Sequence, residues 1–569
     1  MNTLISETES DKNFINKQKL LKIGSVSLYL NNTVYNNNLS SLDSFSMLIG
    51  TPLYKGNHCE GILKTITGDF YNNNLEIDNI KGNYVFFFIR EGKIYILQDK
   101  TKQISLFYDK KTKSISSSLL QLAKLRNNNL KLDKDGLFER LAIGFNLSEN
   151  TIFEDIIKIT PENQELLQKE LNIEFLQHQK NEINSIKFHN EGKEKSIQCQ
   201  LDHLSRYFQL IDKTFENKTG DLGLSGGFDC RLLLALAKKK LNTKLHLHTH
   251  FTEGVHESQI KYAMLLANEY DQDLTKIKTI SPTKLSDVEL TKMMDENLTF
   301  FDGRSARHLG AYSQTYTEWY KKESMDNAFY SLNGLGGEIY RDSYFTGTKK
   351  MNWDDWARRY LFLPLTNEVL PEQILSELSF KLKTIIKREL NWTEDYYDIL
   401  FTHAYYGLIK MPQCNGNLVS AYNKVSPFLL PFVEPDNVME ALKAIFYIGV
   451  GGKYQAEMMK QLSYNIAQIP NSYGNSFVNL GCKHLFWSYI KTIGGVGRRE
   501  RLVNKKLKNK AQSTDYSDFL KALYSIEIME KSFERLKNYL PESNIRMALV
   551  DSSQRRNVIF NSYLLYKYF

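Results

Sequence analysis

Three short stretches of this chain carry residues whose types and spacing could do chemistry. The first, Ser225-Gly226-Gly227-Phe228-Asp229-Cys230-Arg231, follows Leu222 and Leu224 and runs into Leu232-Leu233-Leu234-Ala235-Leu236-Ala237. An apolar alternation, a glycine turn and a continuous Leu/Ala run predict a buried strand, a tight turn and a helix. The free N–H groups of a helix N-terminus, approached over glycines, form an anion site. The second stretch, Asn333-Gly334-Leu335-Gly336-Gly337-Glu338-Ile339-Tyr340-Arg341, repeats the order of strand, glycine-rich turn and helix, and puts a carboxylate, Glu338, at a second strand end as Asp229 is at the first. The third, Gly449-Val450-Gly451-Gly452-Lys453-Tyr454, sets a lysine on a glycine loop. It is not a Walker-type loop, because Tyr454 stands where Ser or Thr would follow the lysine.

Two further groups invite a test. His246, His248 and His250 fall on one face of a predicted strand. At ~3.4 Å per residue the three span about 14 Å, too far to share one tetrahedral ion without rearrangement. Arg304 and Arg307, in Phe301-Asp302-Gly303-Arg304-Ser305-Ala306-Arg307-His308, could grip a carboxylate bidentately or simply begin a solvated helix.

The first loop resembles the Ser-Gly-Gly-x-Asp-Ser pyrophosphate loop of the asparagine synthetase family of adenylating ligases. The second resembles that family's Leu-Ser-Gly-x-Gly-x-Asp-Glu-x-Phe-Gly-Gly-Tyr, and the two occur in the family's order. This resemblance implies ATP and Mg²⁺ as cofactors. Ser225, Gly226 and Gly227 then cradle phosphates together with the backbone of Cys230 and with Gly336 and Gly337, while Asp229 and Glu338 are the Mg²⁺ ligands. Lys453, where the family has its Gly-Lys, becomes the catalytic cation. Residues 425–434 are similar to the family's Arg-Val-Pro-Phe-Leu-Asp segment, without its Arg. Two positions depart from the pattern: Cys230 replaces a Ser with a weaker donor, and Leu335 stands where asparagine synthetases carry Glu and β-lactam synthetases carry Tyr.

The resemblance extends to the N-terminal part, which looks like a glutaminase-type domain. The glutamine-hydrolysing members use a Cys directly after the initiator Met; residue 2 here is Asn. A degenerate glutaminase-like domain is therefore expected, as in the β-lactam synthetases and lasso-peptide cyclases, with the amine coming from elsewhere. The function implied is amide formation between a small-molecule or peptide carboxylate and an amine substrate, with a leader peptide or a pathway enzyme as a possible partner. An ammonia-using asparagine synthetase-like enzyme and a non-catalytic nucleotide-binding scaffold are the alternatives.

The elements that must position these residues follow from pattern. Residues ~20–125 read as β-rich, with a hairpin over 82–99 around Glu91-Gly92-Lys93 and a meander continuing through 105–108 and 114–117. A short helix, a loop and a strand are expected over 127–163, and the Glu/Gln/Lys/Asn-rich stretch 164–198 reads as a linker. From 199 to 569 strands alternate with helices, then helices dominate. The fold class expected is α/β: an Ntn-hydrolase-like α+β domain over 1–163, then a doubly wound parallel-sheet pyrophosphatase-loop ligase domain over 199–569 with a helical C-terminal part. The five Trp, all from residue 319 on, are expected in the core.

The net charge of +8, from 73 basic and 65 acidic residues, suits an anionic substrate. Without an aromatic-interleaved basic stripe it does not point to nucleic acid. The run from Arg498 to Lys510 reads as a solvated helix face or, at most, a dock for a leader peptide or acidic partner. Five scattered cysteines without a CxxC pair, no apolar leader and no apolar run of ~20 residues predict a reduced, cytoplasmic protein without membrane insertion.

Overall fold

The computed structural model describes residues 4–5, 19–23, 26–30, 35–36, 46–126, 129–251, 257–279, 285–304, 317–471, 474–493 and 496–569. The N-terminal part holds β1 (Leu4–Ile5), β2 (Lys19–Ile23), β3 (Val26–Leu30), β4 (Tyr35–Asn36), β5 (Ser46–Leu53), β6 (Lys81–Arg90), β7 (Lys93–Gln98), β8 (Phe107–Asp109), β9 (Ser114–Ser116), β10 (Ile156–Lys158) and β11 (Ile173–Phe175). They form two sheets, ordered β1-β2-β3-β9-β8-β10 and β11-β7-β6-β5-β4.

Strand β6 shows why they stack. Its period of two sends Val85, Phe87 and Ile89 into the core shared with Phe107 and Ile115 of the other sheet. The alternate residues Tyr84, Phe86 and Phe88 face the helix Cys59–Tyr71, where Phe70 stacks on Phe88 at 4.2 Å. The β6–β7 turn places Glu91 at φ 54° and Gly92 at φ 73°, the two left-handed positions a tight hairpin needs. The expected meander does not continue: β8 and β9 pair with each other in the opposite sheet, where β9 also lies parallel to β3. Single-chain pattern carries no information about which sheet a short strand joins.

The stretch 164–198 read as a linker begins inside the helix Pro161–Leu171 and continues into β11, which adds to the edge of β7 in parallel. Asn163 Oδ1 accepts from the N-cap Thr160 N at 2.9 Å and Pro161 opens the helix. A polar composition therefore concealed an amphipathic helix whose Leu167 and Leu171 are buried.

The third sheet is parallel throughout: β12 (Gly220–Gly223), β13 (Leu245–Phe251), β14 (Leu274–Lys278), β15 (Tyr330–Leu332) and β16 (Phe428–Leu429), in the order β14-β13-β12-β15-β16. The order reverses at β12, and the carboxyl ends of β12 and β15 are where open parallel sheets place their ligands. Helices dominate from Trp353 onward. The last, Ser552–Tyr568, returns to the N-terminal part, where Asn557 Nδ2 donates to Arg140 O at 2.6 Å. Further ties join β16 to β5 and β6: Phe428 N donates to Thr51 Oγ1 at 3.2 Å and Asn83 Nδ2 to Phe428 O at 2.7 Å.

Trp353, Trp356 and Trp392 are core residues, but Trp319 and Trp487 are more than half exposed, contrary to expectation. Each leans edge-on against its chain neighbour, Tyr320 or Phe486, rather than into a layer.

Candidate functional site

The turn after β12 leads directly into the helix Phe228–Lys240, whose N-cap, Gly227, makes no side-chain cap bond. The helix is buried from Cys230 to Ala237 and ends on Lys238, Lys239 and Lys240, where cations complement its dipole. Ser225 is exposed, Gly226 buried and Gly227 half-buried. Cys230 turns back into the loop. Its Sγ accepts from Ser225 N and donates to Ser225 O, both at 3.2 Å, and lies 3.2 Å from Ser225 Oγ. Burial pushes the thiol pKa up, so the group stays protonated and acts as an internal brace.

Arg231, fully buried, extends from the same turn away from the loop. It donates to the carbonyls of Ile466, Ile469 and Pro470, and its guanidinium lies 5.1 Å from the Phe477 ring centroid. The first loop is thereby stapled to the C-terminal helices.

The second loop closes over the first. A Cβ at Gly334 would lie 3.0 Å from Cys230 N, and one at Gly337 only 2.3 Å from Asp229 Oδ1. Only glycine permits that approach. Gly336, at φ 93°, packs where a Cβ would meet Val433 at 2.7 Å. The helix expected after this loop is a single short 3₁₀ turn, Gly337–Tyr340, because the chain must bend to bring Glu338 and Arg341 back to the first loop.

Arg341 is the centre of that junction. Its Nη1 lies 2.5 Å from Asp229 Oδ1 and its Nη2 2.9 Å from Asp229 Oδ2, a two-pronged pair. Nη2 is also 3.5 Å from Glu338 Oε1, whose partner oxygen accepts from Tyr406 OH at 2.6 Å. The guanidinium lies over the Phe228 ring at 5.1 Å. Burial, then the neighbouring Asp229, raises the Glu338 pKa, whereas Asp229 and Glu338 outweigh the burial of Arg341 and raise its pKa.

The third stretch meets the same place. Gly452, at φ 75°, caps the helix Lys453–Leu462 and packs so closely on Phe228 that a Cβ would meet its ring at 2.5 Å. From this helix Gln455 Nε2 donates to Asp229 Oδ1 at 3.0 Å, and its Oε1 accepts from Arg341 Nη1 at 2.6 Å. Lys453 is exposed at the first position. Ser225, Gly226, Gly227, Asp229, Cys230, Gly336, Gly337, Glu338 and Lys453 thus all belong to one set of converging loops. Arg341, Gln455 and Tyr406 complete it and were not singled out from sequence. An Arg three residues after Glu338 was the available signal.

Beneath the loops, a buried polar network crosses the sheet. Asp221, wholly buried in β12, accepts from His248 Nδ1 at 2.7 Å, from Lys321 Nζ at 3.0 Å and from Ser331 Oγ at 2.9 Å, with His246 Nδ1 at 3.4 Å. Burial opposes its ionisation, but His248 and Lys321 hold the carboxyl well below the usual carboxylate range. His250, with Nδ1 buried and unpartnered, is driven down to about 4 by burial. The histidines therefore do not converge as a triad; two of them converge on Asp221, which the strand pattern had hidden.

Arg304 lies elsewhere, its guanidinium 5.5 Å from the Phe107 ring centroid and Nε 3.7 Å from Asp302. Arg307 falls outside the described residues. A groove of about 710 Å³ lined by Val288, Lys292, Asp295, Ile528, Lys531 and Tyr566, among others, includes none of the loop residues. No protein-family model and no curated protein matches this chain.

Proposed function

We propose that the chain is an ATP-dependent, AMP-forming carbon–nitrogen ligase. It adenylates a substrate carboxylate and passes the acyl group to an amine, in the manner of the asparagine synthetase family. One observation carries this reading: loops 225–231 and 334–341 and the helix start at Lys453 meet where the strand order of a parallel sheet reverses. On this reading the stacked N-terminal sheets are a degenerate glutaminase-like domain, and the parallel sheet with its C-terminal helices is the pyrophosphatase-loop ligase domain.

The residues fit the groups the reading requires. The N-cap Gly227 has no capping side chain, and a Cβ there would meet only Ser225 Oγ, which leaves an open cradle for phosphate oxygens. Asp229 and Glu338 supply the carboxylate oxygens that Mg²⁺ demands. When bound, ATP·Mg²⁺ supplies the electrophilic α-phosphate and part of the charge neutralisation. Ser225, Gly226, Gly227 and the Cys230 backbone orient the phosphates, and Gly336 and Gly337 let the second loop close on them. Arg341 fixes the spacing of the two carboxylates, and Lys453 presents a cation at an exposed helix start. Catalysis then comes from positioning and charge neutralisation.

The substrates would be a small-molecule or peptide carboxylate and a separate amine, in a cytoplasmic setting, with a leader peptide or pathway enzyme as a partner. Among the described residues no helix is long and apolar enough to cross a membrane. The test is product analysis with ATP, Mg²⁺ and panels of acids and amines: AMP and pyrophosphate are expected, and ADP would overturn the reading.

A second reading is favoured by the Arg341–Asp229 pair itself, which already neutralises a proposed metal ligand. A nucleotide-binding scaffold without turnover would bind ATP in calorimetry, lose binding in Asp229→Ala, and release no pyrophosphate.

A further inference from the structure

Away from the converging loops, four side chains with metal-ligating atoms meet where the connecting segment joins the parallel-sheet part. His189 lies in that segment, Cys199 and His203 lie four residues apart on one face of the helix Lys193–Thr214, and Glu440 lies on the helix Pro435–Lys443. His189 Nε2 is 2.6 Å from Glu440 Oε1, and His203 Nε2 is 3.5 Å from Glu440 Oε2. Ligand atoms of His189, Cys199 and Glu440 all lie within 4.8 Å of one another. The backbone holds His189 in place: its N donates to Lys443 O at 3.0 Å, and the adjacent Phe188 ring sits 4.6 Å from that of Phe446.

We propose that His189, Cys199 and Glu440, with His203 as the fourth ligand, form a zinc site that clasps the connecting segment to these two helices. Two imidazoles, a thiolate and a carboxylate are borderline donors that suit Zn²⁺ and not the hard ions Mg²⁺ or Ca²⁺. A tetrahedral zinc ion needs ligand atoms roughly 3.4–3.6 Å apart, so His189, Cys199 and Glu440 reach coordination by shifts of about 1 Å, and His203, already 3.5 Å from Glu440 Oε2, turns in from the same helix as Cys199. Charge balances: Cys199 releases its proton to solvent, and thiolate plus carboxylate neutralise the ion. The Lys443 ammonium, now 2.9 Å from Glu440 Oε2, belongs to a 39% exposed side chain that can turn to water.

The other close group, Asp221 with His246 and His248, lacks this freedom. The Lys321 ammonium beside its carboxylate is 7% exposed and already supplies the cation. The clasp would also steady the second loop, because Gln200 on the same helix as Cys199 donates from Nε2 to Tyr340 OH at 3.3 Å and to Asn437 O at 3.3 Å. This inference does not depend on the ligase reading.

The test uses the full chain, treated with chelator and titrated with Co²⁺ and then Zn²⁺. One Co²⁺ per chain is expected, with tetrahedral d–d bands and a thiolate-to-cobalt charge-transfer band that Zn²⁺ abolishes. Cys199→Ser should remove the charge-transfer band and weaken zinc binding by at least roughly tenfold, the scale on which even outer-shell losses are felt. Zinc should raise the melting temperature of the unsubstituted chain and not that of the variant. No charge-transfer band in the unsubstituted chain, or an unchanged band and affinity in Cys199→Ser, overturns the proposal. If Cys199→Ser does not fold, His203→Asn is read instead: it should keep the charge-transfer band, because the thiolate remains, but weaken zinc binding by at least roughly tenfold, and an unchanged affinity overturns the proposal.

Discussion

Arg341 and Asp229, 112 positions apart in the chain, are joined by two hydrogen bonds at 2.5 and 2.9 Å. The pair links the second glycine loop to the first turn of the helix after the first loop. Because Arg341 Nη2 also lies 3.5 Å from Glu338, one cation sits against two carboxylates that would otherwise repel each other.

Removing that cation gives the first prediction. Arg341→Leu should destabilise the protein by about 2–3 kcal/mol, below the 3–5 typical of a fully buried pair because both partners keep some exposure. Urea denaturation measures it. If Asp229 and Glu338 can take Mg²⁺, millimolar Mg²⁺ should restore part of the loss in Arg341→Leu and none in the double variant with Asp229→Asn. Equal behaviour with and without Mg²⁺ would remove Asp229 as a metal ligand.

Lys453 tests the proposed chemistry with little expected effect on the fold. Its side chain is exposed at a helix start whose geometry is set by Gly452. Lys453→Met should lower pyrophosphate release by roughly 10²–10³-fold if the ammonium stabilises developing charge. ATP affinity in calorimetry should change by only a few-fold. Loss of binding without loss of rate per bound nucleotide would assign Lys453 to ground-state binding instead.

What the sequence showed and concealed follows from the range of each interaction. The parallel sheet was readable because Leu245 and Leu247 alternate with histidines and the Leu/Ala run after residue 231 can only be a buried helix. The β6–β7 hairpin was readable from the β-branched and aromatic runs on either side of Glu91-Gly92-Lys93. These are local signals. Arg341, Gln455 and Tyr406 act on residues of other elements, 114 positions apart for Arg341 and Gln455, and periodicity is blind to such pairs. Asp221 is the instructive case: a lone acid in an apolar strand was passed over, yet Lys321, Ser331 and His248 from three other elements satisfy it.

Cys230 should react slowly with thiol reagents in the folded chain. Its Sγ is buried against Ser225, and burial raises its pKa, so the nucleophilic thiolate is scarce. Cys482, exposed at the start of the helix Cys482–Ile493, should react first. Peptide mapping after brief treatment with N-ethylmaleimide should find Cys482 labelled and Cys230 labelled only after unfolding. Because the thiol braces the loop from inside, Cys230→Ser should shift stability by less than about 1 kcal/mol, since the hydroxyl can make the same two backbone bonds. Early labelling of Cys230 would show that the loop opens readily.

Glu434 makes stability depend on alkaline pH. Its carboxyl is 5% exposed, accepts from Gly82 N at 2.9 Å, and is pushed up to about 8 by burial, with Lys81 and the Gly82 amide opposing and Asp436 and Asp99 adding to the shift. A raised pKa means that the folded state holds a proton the unfolded chain has lost. The stabilisation is complete below the unfolded value of 4.5 and disappears as pH rises through about 8. Urea denaturation at about pH 6 and about pH 9 should therefore show the protein weaker at the higher pH, by on the order of a few kcal/mol. Glu434→Gln keeps an acceptor for Gly82 N but cannot ionise, so it should flatten the dependence and be the more stable protein at the higher pH. The effect should reach the candidate site, because Glu434 follows Phe432 and Val433, the residues against which Gly336 packs. Nucleotide affinity should fall over the same pH range in the unsubstituted chain and less in Glu434→Gln. A flat profile for the unsubstituted chain would mean that Glu434 ionises freely and that this junction is wetter than its burial implies.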